Sequence, residues 1–244
     1  MHVVVYASAE AASRALAGVI AAALTRQPAI VLGLPTGRTS IPLYRELVAL
    51  HHARRADFRR ATVFSLDEFV GLPARHPGRY AAFMRRHLYA HVNLRPSAIH
   101  VPDAAARDPG GAARRYERAI ARAGGLDLIV LGIGTNGHIG FNEPAAALIA
   151  ETHVATLRTA SRRANAEPFG GDWRRVPARA ISMGVGTMLR ARQVVLIATG
   201  ASKARSIGRA LAGPVTTRVP ASLLQLHPNA VVVLDRDAAA QLRR

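Results

Sequence analysis

The chain has 244 residues, with 33 lysines and arginines against 15 aspartates and glutamates, a formal charge of +18 and no cysteine. The missing thiols exclude disulfides, thiolate catalysis and cysteine-based zinc sites, while a 50% apolar composition supplies ample material for a packed core. The charge invites a nucleic-acid reading that the details weaken, because the arginines are scattered singly and in pairs, aromatics are only 5% of the chain, and no arginine–aromatic platform for stacking bases is present in the sequence.

In chain order, a strand over 3–6 feeds a helix over 9–26. Ala15–Leu24 resembles the apolar core of a signal segment, but Glu10 and Arg14 lie inside the helical pattern and no cleavage site follows. No apolar run reaches membrane-spanning length, so a cytoplasmic enzyme without a membrane partner is expected. Strands are then predicted over 29–34 and 61–66, helices over 40–53, 79–91 and 110–123, and a strand over 127–132. A helix over 177–191, a strand over 193–199, a helix over 202–212 and a strand over 230–235 complete the pattern. Such alternation predicts an α/β fold: one three-layer domain over 1–244, with a mostly parallel, Rossmann-like sheet covered by helices on both faces. The polar, glycine-containing stretch 158–175 reads as a mobile lid.

Four predicted strand ends carry chemistry. The first continues into Thr36-Gly37-Arg38-Thr39, a strand-to-helix turn whose hydroxyls and free N–H groups suit a phosphate or carboxylate. An ordinary capped loop, with Thr39 or Ser40 as N-cap, is the plainer alternative. Asp67 and Glu68 follow directly on the strand over 61–66. Asp67 can serve as a general base if burial and a neighbouring charge raise its pKa. In the plainer reading Asp67 caps the loop and Glu68 faces solvent.

The most informative segment is LDLIVLGIGTNGHIGFNEP, residues 126–144, where a buried-strand run opens into a glycine-rich turn bearing His138, Asn142 and Glu143. Gly132, Gly134 and Gly137 let the backbone approach a ligand at the strand's carboxyl end, and His138 with a carboxylate can act as an acid/base pair. The same glycines spell the dinucleotide fingerprint, which needs a helix starting inside it; Gly140 and Pro144 make poor first turns. Beyond the strand over 193–199 sits Lys203, the only lysine of the chain, one turn past the strand end, where a point charge can reach a phosphate.

Together LGLPTGRTS (32–40), FSLDEFVGLP (64–73), GIGTNGHIGFNEP (132–144), ISMGVGTML (181–189) and PASLLQLHPNAVVVLD (220–235) resemble the glucosamine-6-phosphate deaminase (isomerase) family. The resemblance implies that His138 opens the sugar ring, tuned by Glu143 and Asn136. It further implies that Asp67 moves a proton from C2 to C1 and that ammonia leaves, giving fructose 6-phosphate without metal or cofactor. Thr36, Gly37, Arg38, Thr39, Gly137 and Lys203 would hold the amino-sugar phosphate. A monomer or small homo-oligomer is expected. Competing readings are a lactone hydrolase of the sister 6-phosphogluconolactonase family, against which FNEP and DEFVGLP argue, and a non-catalytic sugar-phosphate sensor. Three positions depart from the family pattern: Asn136 stands where well-known members have aspartate, Glu167 where many carry an arginine, and Arg38 where glycine is common. Arg38 and Glu167 are expected to line the phosphate pocket and to pair when it is empty.

Overall fold

The computed structural model describes residues 1–242; Arg243 and Arg244, the end of the expected single domain, lie outside the described residues. The elements in order are β1 (His2–Tyr6), α1 (Ala9–Arg26), β2 (Val31–Leu34), α2 (Ser40–His52), β3 (Thr62–Ser65), β4 (Asp67–Phe69) and α3 (Tyr80–His87). They continue with β5 (Ile99–His100), α4 (Pro109–Arg122), β6 (Leu128–Leu131), β7 (His153–Thr156), α5 (Thr159–Ala164) and β8 (Arg179–Ser182). The last are α6 (Val185–Leu189), β9 (Gln193–Ala198), α7 (Ala204–Leu211) and β10 (Ala230–Asp235).

Seven strands form a parallel sheet in the order β1-β10-β9-β6-β2-β3-β5. Its central strands are apolar on both sides because both sides are covered. Leu32, Leu34, Leu128 and Val130 pack with Leu16, Ile20, Leu43 and Leu47 of α1 and α2. Val31, Ile129 and Leu131 point the other way and pack with Tyr116 and Ile120 of α4 and Ile207 of α7. From β2 the chain winds outward through β3 to β5, and from β6 it winds the opposite way through β9 and β10. The carboxyl ends of β2 and β6 therefore flank a topological switch point, where open α/β sheets leave a crevice for ligand.

Three elements differ from the sequence pattern. A second, antiparallel sheet of β4, β8 and β7 rises beside the first. The helix predicted over 177–191 is replaced by β8 and the short α6. Gly184 separates them with extended backbone (φ −78°, ψ 163°) as the N-cap of α6, and a Cβ there would lie 2.3 Å from the Glu151 carbonyl oxygen, so only glycine fits this close contact. The helix predicted over 79–91 stops at His87 and passes through a 3₁₀ turn over Tyr89–His91. The lid stretch is partly ordered, with α5 followed by 3₁₀ turns at Glu167–Phe169 and Trp173–Arg175. Among the described residues, no helix is long and apolar enough to cross a membrane.

Candidate active site

At the switch point lies a cleft of about 630 Å³, walled by the loops after β2, β6 and β9, by Asp67 at the start of β4, and by α5. It gathers Thr36, Gly37, Arg38, Thr39, Asp67, Asn136, His138 and Lys203 on one surface, so the four strand ends do meet. Glu143 sits behind His138. Gly137 is not on the wall; with φ of +92° and Val219 2.8 Å from any added Cβ, it shapes the turn.

The loop after β6 is built around His138. The Gly134 N–H donates to the His138 carbonyl at 2.9 Å, and a Cβ on Gly134 would meet the imidazole Cε1 at 2.2 Å, so only glycine fits beneath that ring. Asn142, which is buried, donates to the carbonyls of Ile139 and Met183 at 2.9 and 2.8 Å and pins the loop to the end of β8. No helix starts in this loop, which removes the dinucleotide alternative.

His138 Nδ1 lies 3.6 Å from Glu143 Oε2. The Asn136 amide donates to the same oxygen at 2.8 Å, and its Oδ1 accepts the His138 backbone N–H at 3.2 Å. Ser161 of α5 donates to Glu143 Oε1. Burial alone would raise the Glu143 carboxyl, but the neighbouring His138 ring, with the Ser161 and Asn136 donors, outweighs it and pulls the pKa down to about 2. A fixed carboxylate beside an imidazole sets the orientation of the ring. Asn136 thus orients through its amide what an aspartate would orient by charge.

Asp67 is buried, and its carboxyl is pushed up to about 8, first by desolvation and then by the neighbouring Glu68. Glu68 does not face solvent as the plainer reading had it. It is fully enclosed and accepts from the backbone N–H groups of Phe69, Tyr80 and Ala81 and from Arg79 Nε. It caps the head of α3 and carries Tyr80 to the cleft wall.

The far end of the cleft is basic. Thr39 gives α2 no side-chain cap and the first turn of that 13-residue helix holds no acidic residue, so its positive end is uncompensated by charge, although the Ser40 and Ile41 N–H groups turn back onto the Gly37 and Arg38 carbonyls at 3.0 and 3.2 Å and Pro42 has none to offer. Ser40 is not a cap either; its hydroxyl donates to the Gly37 carbonyl at 2.7 Å. Lys203 Nζ donates to the Ile133 carbonyl at 2.8 Å, and burial, then the charge of Arg38, lower its pKa. The turn carrying Lys203 starts at Gly200, whose N–H is held by both oxygens of Asp235 at 3.0 and 2.9 Å. Glu167 departs from expectation: it is exposed on its 3₁₀ turn, lies off the cleft wall, and forms no ion pair with Arg38 among the described residues. The buried Ala166 and Phe169 on either side fix that turn against the core below the lid, which leaves Glu167 outward.

Tyr80, Ser161, Asn165 and Asp235 escaped the sequence reading, since a lone tyrosine, serine, asparagine or strand-end aspartate carries no spacing signal. Only the polar run 158–175 hinted at two of them.

Comparison with known proteins gives a consistent answer. Residues 6–233 match the model of the glucosamine-6-phosphate isomerases/6-phosphogluconolactonase family. A glucosamine-6-phosphate deaminase of Streptomyces avermitilis is 44% identical over 243 residues, covering 100% of this chain and 93% of its own. One from Mycolicibacterium smegmatis is 46% identical over 225 residues, covering 92% and 86%. Among solved structures, one described as a monomeric glucosamine-6-phosphate deaminase superposes with a TM-score of 0.96 at 37% identity, covering 99% of this chain and 100% of that one. A 6-phosphogluconolactonase from Trypanosoma cruzi shares the fold at 19% identity, with a TM-score of 0.79 and coverage of 100% and 97%.

Proposed function

This chain belongs to the family of glucosamine-6-phosphate isomerases and 6-phosphogluconolactonases, and on that premise we infer that it converts D-glucosamine 6-phosphate and water to D-fructose 6-phosphate and ammonia. The observation that carries the reading is the pairing, in one cleft, of a buried Asp67 that titrates near neutrality with the His138–Glu143 pair, opposite a basic end suited to phosphate.

The chemistry follows from those groups. His138, held by Glu143 and Asn136, moves a proton between the ring oxygen and O1, opening the pyranose to the aldehyde. Asp67 removes the proton at C2 while His138 protonates O1, giving an enolamine across C1 and C2. Asp67 returns its proton to C1, which leaves an imine at C2. Water adds to that carbon, its oxygen becomes the ketone, and the nitrogen departs as ammonia. A carboxylate near its pKa at neutral pH can both take and return a proton, and aligned proton shuttling at adjacent carbons requires no metal or redox cofactor. The Thr36–Thr39 turn at the positive end of α2, with Arg38 and Lys203, binds the 6-phosphate; Gly137 sets the turn beside it. The same reading has one domain over 1–244 acting in the cytoplasm as a monomer or small homo-oligomer, in keeping with the similar enzyme described as monomeric.

The test is incubation of purified protein with glucosamine 6-phosphate in D₂O. Release of ammonia, with fructose 6-phosphate carrying deuterium at C1, is expected. Absence of ammonia together with hydrolysis of 6-phosphogluconolactone would replace this reading with the sister activity.

A further inference from the structure

Helix α5 closes one side of the cleft, presenting Ala160, Ser161, Ala164 and Asn165 to it. Two side-chain bonds fasten it to facing walls. On the α3 side, the Tyr80 hydroxyl donates to Asn165 Oδ1 at 2.7 Å. On the other side, the Ser161 hydroxyl donates to Glu143 Oε1. The two anchors are joined within the helix, because Asn165 Nδ2 donates to the Ser161 carbonyl at 2.9 Å.

The Ser161 bond lands on the residue that governs the imidazole. Oε2 of Glu143 takes the Asn136 amide at 2.8 Å and faces His138 Nδ1 at 3.6 Å. Oε1 has Ser161 as its one side-chain donor among the described residues. The terminal torsion of a glutamate is broad and nearly two-fold, so a carboxylate held at one oxygen can still swing about that contact. Held at both, its plane is fixed. That matters because His138 Nδ1 is buried and has no hydrogen-bond partner in this arrangement, and a small turn of the Glu143 carboxylate decides whether it acquires one. The groups facing the pair are Asn136 from its own loop and Ser161 from α5. The Arg158 guanidinium, just before α5, is occupied by the Pro144 carbonyl.

We propose that Ser161 is a positioning residue that aims the Glu143 carboxylate at His138 Nδ1, so that the ring-opening acid/base pair is complete only while α5 is docked on the cleft. The proposal rests on the reading of the function given above. It makes docking of the helix a condition for ring opening as well as a cover against water, because one hydroxyl belongs both to the lid and to the shell of the catalytic histidine. Ser161 acts through Glu143 and not on the sugar, so its loss should appear in turnover and not in affinity.

The experiment compares wild type, Ser161→Ala and Ser161→Thr with glucosamine 6-phosphate as substrate, and follows backbone hydrogen exchange in the ligand-free proteins. Ser161→Ala should lower kcat roughly 10- to 100-fold, the scale of a misaligned catalytic group, with KM within about twofold. Ser161→Thr, which restores the hydroxyl, should recover most of that loss. Exchange over 159–171 should quicken in the alanine variant while α7 stays unchanged. Unchanged kcat in Ser161→Ala, a loss confined to KM, or a threonine variant as impaired as alanine each overturns the proposal. A wild-type protein that releases no ammonia sinks the substrate reading instead, and the exchange result alone then decides whether Ser161 docks α5.

Discussion

Asp67 and Glu68 are adjacent carboxylates on the three-residue strand β4, and they serve opposite sides of it. The pleat turns Asp67 to the cleft and Glu68 to the head of α3, where it receives the Tyr80 and Ala81 N–H groups at 2.9 and 3.0 Å. Glu68 thereby anchors a wall of the site while its charge helps hold the Asp67 carboxyl at about 8.

The raised Asp67 pKa sets activity and stability in opposition. As a general base Asp67 must be ionised, so kcat/KM should climb as pH rises toward about 8. Folding retains a proton that the unfolded chain releases near ~3.9, so stability declines as pH rises from there through the folded value. Asp67→Asn should abolish isomerisation, a loss of ~10²–10⁴-fold or more. It should also melt above wild type at alkaline pH, with the gap closing below about pH 4. A melting series across pH checks this; a gap that does not vary with pH would refute the assignment.

Removing the charge of Glu68 while keeping its shape should move the Asp67 titration down. In Glu68→Gln the rising limb of the pH–rate profile is expected at lower pH than in wild type. Glu68→Ala, which also strips three backbone N–H groups and Arg79 of their enclosed partner, should destabilise the protein by about 2–5 kcal/mol in denaturant melts.

Arg38 is the cationic addition to the phosphate end. Arg38→Gly should raise KM for the phosphosugar a few-fold with little change in kcat, since Arg38 is exposed at the cleft and a solvent-screened charge contact is worth ~0.2–1 kcal/mol. Glu167→Gln should leave KM within about twofold, because the side chain is exposed and off the cleft wall. Steady-state kinetics on both variants distinguish a pocket arginine from a surface one.

Asp235 should matter to binding without touching ligand. Its carboxylate clasps the Gly200 N–H and caps Ala238 at 2.8 Å, holding the turn that carries Lys203. Asp235→Ala is expected to raise KM several-fold and lower the melting temperature, whereas Lys203→Ala raises KM without the thermal loss. Equal melting temperatures for the two variants would count against a bracing role for Asp235.

Six strands of the parallel sheet were readable because they are continuous apolar runs, whereas the two-residue edge strand β5 was not, and α1 was readable because its buried stripe is steady. The smaller sheet was not readable. β4 carries two carboxylates in three residues, and its partner β8 lies in an apolar run that fits a helix equally well. Only the pairing of Asp67 and His153 with Ser182, across long stretches of chain, makes these segments strands. The site divides the same way. Asp67, His138 and Lys203 stood out because reactive side chains at glycine-rich strand ends have few other uses. Glu68, Ser161 and Asp235 work through hydrogen bonds to distant backbone or side chains, and nothing local in the sequence records such partners.

The narrow seam between β2 and β6 also bears on how the protein comes into being. Only Leu32 with Leu128 and Gly33 with Ile129 pair across it, reinforced by the Asp127 carboxylate on the Val31 N–H from 96 positions away. During synthesis the anion cradle of Thr36–Thr39 emerges long before His138 and Glu143 exist, and closing so long a loop carries an entropic penalty that local contacts cannot offset. A nascent or stalled chain ending before β6 therefore holds half a pocket and no acid/base pair. Competence waits for the seam to zip and for α5 and the Lys203 turn, braced by β10, to join it, which makes appearance of ammonia-releasing activity a direct clock for completion of the central sheet.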